Sequence, residues 1–217
     1  NEVRLTFVGH ASFLIESPAG VRIVTDYNGV HRPAVVPEIV TMNNAHTTHY
    51  TDWVDPAIRH ALRGWATEPG KPAQHDLTEK DVRVRNVPTN VRDWSGDTRY
   101  GGNSIFVFEV AGLCLAHLGH LHHDLTDEHL AQLGQIDVLL VPVDGGFTMA
   151  QEFMKDVIAQ IRPAVVIPMH YFSPSRLQRF LDMVRDEYPA KTQADPTIVL
   201  SRQTLPWKQT IVLPGPH

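Results

Sequence analysis

The segment Val40 to Trp53, VTMNNAHTTHYTDW, carries His46 and His49 in a turn after an apolar run, with Asn44 and Thr48 beside them. A second segment, AHLGHLHHD, holds His117, His120, His122 and His123, and a third, AVVIPMH, ends at His170. Asp144 follows the apolar run IDVLLVPV. A neutral imidazole offers a lone pair and no charge, so a group of them makes a nitrogen-rich, uncharged site. Such a site suits zinc, copper or nickel better than magnesium, calcium or manganese. Three imidazoles with one open position are enough to bring a zinc-bound water to a pKa of about 7. A single histidine at a strand end is more often a hydrogen-bonded turn residue, and pairs at the His46–His49 spacing often bond to backbone. Polar groups after four separate strands nevertheless have the one-dimensional form of a convergent site, because the backbone there is rigid and the side chains are free.

These side chains need elements behind them. VRLTFVG, SFLIES and GVRIVTD are short alternating runs parted by turns, which predicts an antiparallel meander. IVTM is a buried strand leading into the first histidine loop, and DPAIRHAL predicts a short helix with Asp55 as its cap. DVRVRNVP and NSIFVFEVAGLCLAH are strands, the second a hairpin turning at Ala111-Gly112. After it come a helix in LTDEHLAQLG, an apolar strand in IDVLLVPV, a helix in TMAQEFMKDVIAQIRP, another apolar strand in AVVIPMH, and a helix in SPSRLQRFLDMVRDEYP. Asp137 to His170 is thus a strand–helix–strand unit with a buried sheet. The pattern predicts an α/β protein of two packed sheets with helices outside, one domain over residues 1–217.

At 42% hydrophobic and 20% charged, the chain can bury a sizeable core. A net charge of −5 with scattered Lys and Arg gives no reason to expect nucleic acid, and no apolar run is long enough for a membrane span. The expected partner is a small-molecule substrate; nothing bears on oligomeric state. Cys114, the one cysteine, sits in an apolar run and reads as a small hydrophobe rather than a reactive thiol. The chain opens on Asn1 rather than Met, which fits a cleaved export signal and a periplasmic or exported location, and equally a trimmed cytoplasmic chain. Of the 13 histidines, His31, His60, His75, His129 and His217 lie in polar or helical-surface settings and read as solvated.

GHASFLIES with IVTD, HLGHLHHDLTDEHL, DVLLVPVDGGFTM and VIPMHY together resemble the metallo-β-lactamase superfamily, in the branch of the ascorbate-phosphate lactonase, over almost the whole chain. The resemblance implies a four-layer αββα sandwich with the site at one edge between two sheets. It also exposes departures. The family signature H-x-H-x-D-H falls on Asn44-Ala45-His46-Thr47-Thr48-His49, so its first His is Asn44 and its Asp is Thr48. The Asp of H-x-G-D, which bridges two metals in the family, is His120. What remains by resemblance is His46, His49, His117, His120 and His170 as metal ligands. Asp26 is then the carboxylate that orients a ligand histidine, Asn44 and Thr48 stand in altered ligand positions, and His10 and Asn103 contact substrate.

Imidazole cannot do the bridging work of a carboxylate, so one transition-metal ion, zinc, is expected rather than two. Thr48 cannot take a proton as the signature Asp does, which leaves Asp93 or Asp144 as the candidate base. The function this predicts is hydrolysis of a small lactone, ester or phosphoester through a metal-bound hydroxide. The alternative is a non-hydrolytic metal- or ligand-binding protein that retains the fold.

Overall fold

The computed structural model describes residues 1–216. Alternating side chains set the first sheet. Val3–Gly9 (β1) and Ser12–Glu16 (β2) pair antiparallel around the Gly9-His10 turn, and Arg22–Val24 (β3) pairs antiparallel with β2. Ile39–Met42 (β4), buried at every position, then runs parallel to β3. The helix expected from Asp55 is a single turn. Asp55 does cap it, accepting from the Ala57 N–H at 2.9 Å, but His60–Arg63 is drawn into the sheet as β5, parallel to β4. A short helix without a buried face gains less than a strand that completes a ladder.

Asp76–Glu79 (β6), Val82–Arg92 (β7), Thr98–Val110 (β8) and Leu113–His117 (β9) form the antiparallel part of a second sheet. Its β8–β9 turn places Ala111 and Gly112 at φ 53° and 72°. Asp127–Leu133 (α1) is capped by Thr126. Val138–Pro142 (β10), Gln151–Ile161 (α2) and Val165–Met169 (β11) make the right unit for a parallel, two-sided sheet, and Pro174–Val184 (α3) starts at the Ser173 cap. Ala190–Thr192 (β12), Thr197–Leu200 (β13) and Thr210–Leu213 (β14) finish the chain. The sheet orders are β13-β1-β2-β3-β4-β5 and β12-β14-β11-β10-β9-β8-β7-β6.

The inner faces of the two sheets share one core, with Leu5, Phe13, Ile15 and Ile23 against Phe106, Phe108, Leu115 and Leu140. The outer face of the eight-stranded sheet is covered by the helices through Met154, Val157, Ile158, Phe180 and Val184. On the outer face of the six-stranded sheet, Leu14, Val24, Val40 and Met42 are covered by loop residues including Tyr50, Val54 and Trp65. The result is an α/β sandwich of two packed sheets, as the sequence predicts, with its outer layer on the six-stranded side made of loop among the described residues. Cys114 is half-buried, and burial, with Asp137 nearby, pushes its thiol pKa up, away from the reactive thiolate.

Candidate metal centre

The two sheets are tied to each other where β4 ends. Asn43 donates its side-chain amide to the Ser104 and His117 carbonyls at 2.7 and 3.2 Å, and its backbone N–H to Asp26 Oδ1 at 3.2 Å. Loops after β4, β9 and β11 therefore open at one edge of the sandwich. Three residues there, His10, Asp26 and His170, hold φ of 53°, 44° and 54°. Each such non-glycine residue costs on the order of 1–3 kcal/mol, and strain of this kind gathers at functional sites.

The loops bring His49, His120 and His170 together, with one ligand atom of each within 4.8 Å of the others. His49 Nε2 lies 2.9 Å from His120 Nδ1 and 3.1 Å from His170 Nε2. The far nitrogens of two of these rings are pinned by buried carboxylates. His49 Nδ1 donates to Asp26 Oδ2 at 2.5 Å, and His170 Nδ1 donates to Asp144 Oδ1 at 3.1 Å. With both protons on Nδ1, the two Nε2 lone pairs face each other across 3.1 Å. Burial, with the neighbouring imidazoles adding to it, lowers the pKa of His49 and takes that of His120 down to about 2. A cation between the rings would relieve the repulsion of the two facing lone pairs. Tetrahedral nitrogen ligands about 2.0–2.1 Å from zinc are themselves about 3.3 Å apart, close to the spacing here. Burial also raises Asp26, to about 7, against the opposing pull of His117 and the Asn43 N–H, so a positive charge next to His49 would favour its carboxylate. The donor set fits one transition-metal ion.

The other expected residues fall elsewhere. His117 is fully buried, but Nε2 donates to the Ala11 carbonyl at 2.8 Å and Nδ1 accepts from the Gly119 N–H at 3.2 Å, so neither ring nitrogen is left for a metal. His46 is exposed at the rim, its ring 6.1 Å from that of His120 and its Nδ1 3.0 Å from Thr48 Oγ1. Asn44 donates to the Gly102 carbonyl and bridges to Asn103. Asn103, expected at the substrate, is fully buried: its amide donates to Thr89 and Leu118, and its Oδ1 accepts from the His120 N–H at 2.9 Å. It positions His120 instead. The His10 ring lies tilted against that of His170 with ring centres 4.1 Å apart, and burial, with His170 and His49, lowers its pKa to about 3.

The two candidate bases are held differently. Asp144 Oδ2 accepts from the Gly146, Phe147 and Thr148 N–H groups, and Oδ1 from the Thr148 hydroxyl and His170. Burial opposes its ionisation, but these bonds outweigh it and hold it well below the usual carboxylate range. Asp93 is exposed and accepts from Ser95 and the Asp97 N–H in its own turn. The partner that Asp144 holds, His170, lies 26 residues away in sequence. His122, adjacent in sequence to the cluster, has its ring 4.7 Å from that of His120. Phe147 and Phe172, both more than half exposed, pack edge to face beside His10 and His170. Among the solvated readings, His60 lies 3.5 Å from Glu79 and His75 donates to the Arg63 carbonyl; His217 lies outside the described residues. A wider groove lined by Asn1, Glu2, Ala111 and Arg202 lies at the far end of the β8–β9 hairpin, without histidines.

Comparison with known proteins places this site in a family. A UPF0173 metal-dependent hydrolase of Carboxydothermus hydrogenoformans is 27% identical over 194 residues, covering 78% of this chain and 84% of its own length. One from Thermococcus onnurineus is 28% identical over 189 residues, with the same coverage. The crystal structure of a proposed Zn-dependent hydrolase of the metallo-β-lactamase superfamily from Thermotoga maritima is 28% identical, with a TM-score of 0.71, covering 97% of this chain and 98% of that one. The metallo hydrolase Igni18 of Ignicoccus hospitalis shares the fold at 18% identity and a TM-score of 0.65. The β-lactamase superfamily domain profile matches residues 4–170, and on that match, with the sandwich and the histidine cluster at its edge, the chain belongs to the metallo-β-lactamase superfamily.

Proposed function

We propose that the protein is a metal-dependent hydrolase of a small lactone, ester or phosphoester, with one zinc ion per chain held by His49, His120 and His170. The observation that carries this reading is the pair of Nε2 lone pairs facing each other at 3.1 Å, each fixed by a buried carboxylate on the far side of its ring. The C. hydrogenoformans relative is named a metal-dependent hydrolase and the T. maritima one a proposed Zn-dependent hydrolase, which supports the hydrolase part of this reading. A metal ion bound there supplies a Lewis acid for a carbonyl or phosphoryl oxygen and acidifies water near neutral pH. The chain's own contribution is orientation. Asp26 and Asp144 fix two rings, and Asn103 fixes the third through the His120 backbone. His120, where the family has a bridging carboxylate, favours one ion over two. No helix among the described residues is long and apolar enough to cross a membrane.

A second reading is a non-hydrolytic metal- or ligand-binding protein. The observation that favours it is that Asp144, one candidate base, has both oxygens committed to other bonds, while Asp93, the other, sits exposed in a turn of its own that takes up its Oδ1. Elemental analysis with assays on a generic ester and phosphodiester separates the two. Metal near one per chain with turnover is the expected result, and His49→Ala and His170→Ala should lose the metal. Metal without turnover would establish the second reading.

A further inference from the structure

Among the described residues, the buried side-chain polar atoms that find no hydrogen-bond partner in the protein are His10 Nε2, Thr41 Oγ1, Asn43 Oδ1, His122 Nε2 and Gln151 Oε1. Two are imidazole nitrogens beside the metal cluster, and one of these has its proton fixed by its surroundings. His122 Nδ1 accepts from the Arg92 main-chain N–H and from Arg92 Nε, both at 3.3 Å. Both partners can only donate, so the Nδ1 lone pair is used and the neutral ring carries its proton on Nε2. Arg92 is itself braced: Nη2 donates to the Thr148 carbonyl, in the loop that Asp144 organises. The His122 ring lies tilted against that of His120, 4.7 Å centre to centre. A held N–H is therefore buried next to a ligand of the proposed metal and meets no acceptor in the chain. Such a donor is costly to keep, and donors of this kind serve where negative charge develops on a reacting oxygen.

We infer that His122 is a further catalytic residue, donating its Nε2–H to the carbonyl or phosphoryl oxygen of the substrate beside the metal. This rests on the hydrolase reading of the same site. It assigns the ligand an oxygen acceptor that gains negative charge, shared by lactones, esters and phosphoesters. The competing role for His122 is structural, a clamp on the exposed Arg92 side chain. His122→Phe gives up the Arg92 bonds in either role, so affinity for a ligand oxygen, and not stability, separates the two.

The test compares the zinc-loaded wild type with His122→Phe and with His122→Gln, whose amide can place an N–H near the Nε2 position. Four quantities are read: zinc content, affinity for acetohydroxamate, turnover of p-nitrophenyl acetate, and melting temperature. Zinc content should be equal in all three proteins. Acetohydroxamate should bind about tenfold to a hundredfold more weakly to His122→Phe and recover in His122→Gln, since a hydrogen bond to a charged group is at stake. Turnover should fall on the order of a hundredfold in His122→Phe with KM little changed. Its melting temperature should stay within a few degrees of the wild type, the cost of the two Arg92 bonds, which shows that the variant is folded. Zinc loss in a folded His122→Phe would make His122 a ligand and overturn the inference. So would unchanged hydroxamate affinity. If the wild type takes up no zinc, the hydrolase reading fails and the inference that rests on it fails with it, whereas zinc uptake with unchanged hydroxamate affinity fails the inference alone.

Discussion

At the scale of single residues, two carboxylates decide what the histidines can do. Asp26 and Asp144 each hold the Nδ1–H of a ring and thereby aim an Nε2 lone pair at the neighbouring ring. Asp144 is the more heavily engaged. One oxygen accepts three backbone N–H groups and the other accepts from Thr148 and His170. An asparagine there offers one acceptor atom and one donor, so one side of the constellation must break whichever way the amide turns. Asp144→Asn is therefore expected to weaken metal binding about 10–100-fold, as loss of a partner behind a ligand histidine does, with the secondary structure unchanged. A chelator-competition titration beside a far-ultraviolet circular dichroism spectrum checks this. Unchanged affinity would mean that His170 is held by its neighbours rather than by Asp144.

At the scale of elements, the loop from β9 sets where His120 stands. Gly119 takes φ 61°, and a Cβ there would lie 2.5 Å from the Asn43 side chain. Gly119→Ala must shift either its own backbone or the asparagine that ties the sheets, and a loss of about 1–3 kcal/mol together with reduced metal content is expected. Denaturant unfolding and elemental analysis measure both. The elements carrying the site were legible in the sequence because their signals are local. These are the β1–β3 meander, the Ala111-Gly112 hairpin, the helices α1 and α3, and the apolar runs of β10 and β11. Strands β5, β6, β12 and β13 were not, because short strands at sheet edges acquire their identity from the neighbour they pair with, and β14, inside the eight-stranded sheet, is only four residues long. The same limit applied to side chains. His117, at a strand end, looked like a ligand, yet the Ala11 carbonyl that claims its Nε2 is 106 residues away. Asn103 looked like a substrate contact, yet it is spent on Thr89, Leu118 and the His120 backbone. A side chain's type can be read from the sequence, but the partner that uses up its lone pair is fixed only when the sheets close.

At the scale of the whole molecule, the sheets are pinned by polar contacts as well as by their shared core. Asp81 accepts from the Ser17 hydroxyl at 2.6 Å and from the Ala19 N–H at 3.0 Å, joining the turn after β2 to the turn before β7. Burial alone would raise its pKa, but these bonds outweigh it and hold it low. A depressed carboxylate contributes above its unfolded pKa of about 4 and loses that contribution as pH falls through the lower folded value. Asp81→Ala should thus lower the melting temperature by a few degrees at neutral pH, about 1 kcal/mol for exposed bonds, with the gap closing below about pH 4. At the other end Asn43 makes the tie, and the proposed metal would make a second. His49 comes from the loop after β4 in one sheet, while His120 and His170 follow β9 and β11 in the other. An ion shared among them is a cross-link between the sheets that the unfolded chain cannot reproduce, and it removes the lone-pair repulsion that the native state otherwise carries. At a free zinc concentration about a hundredfold above Kd, native-state binding adds about 2.7 kcal/mol, or about 5–10 °C in melting temperature for a chain of this size. Calorimetric melting with and without zinc should show that rise in the wild type and none in His49→Ala or His170→Ala, because neither variant keeps the three-nitrogen set. Equal zinc stabilisation of the wild type and both variants would move the metal away from this edge of the sandwich.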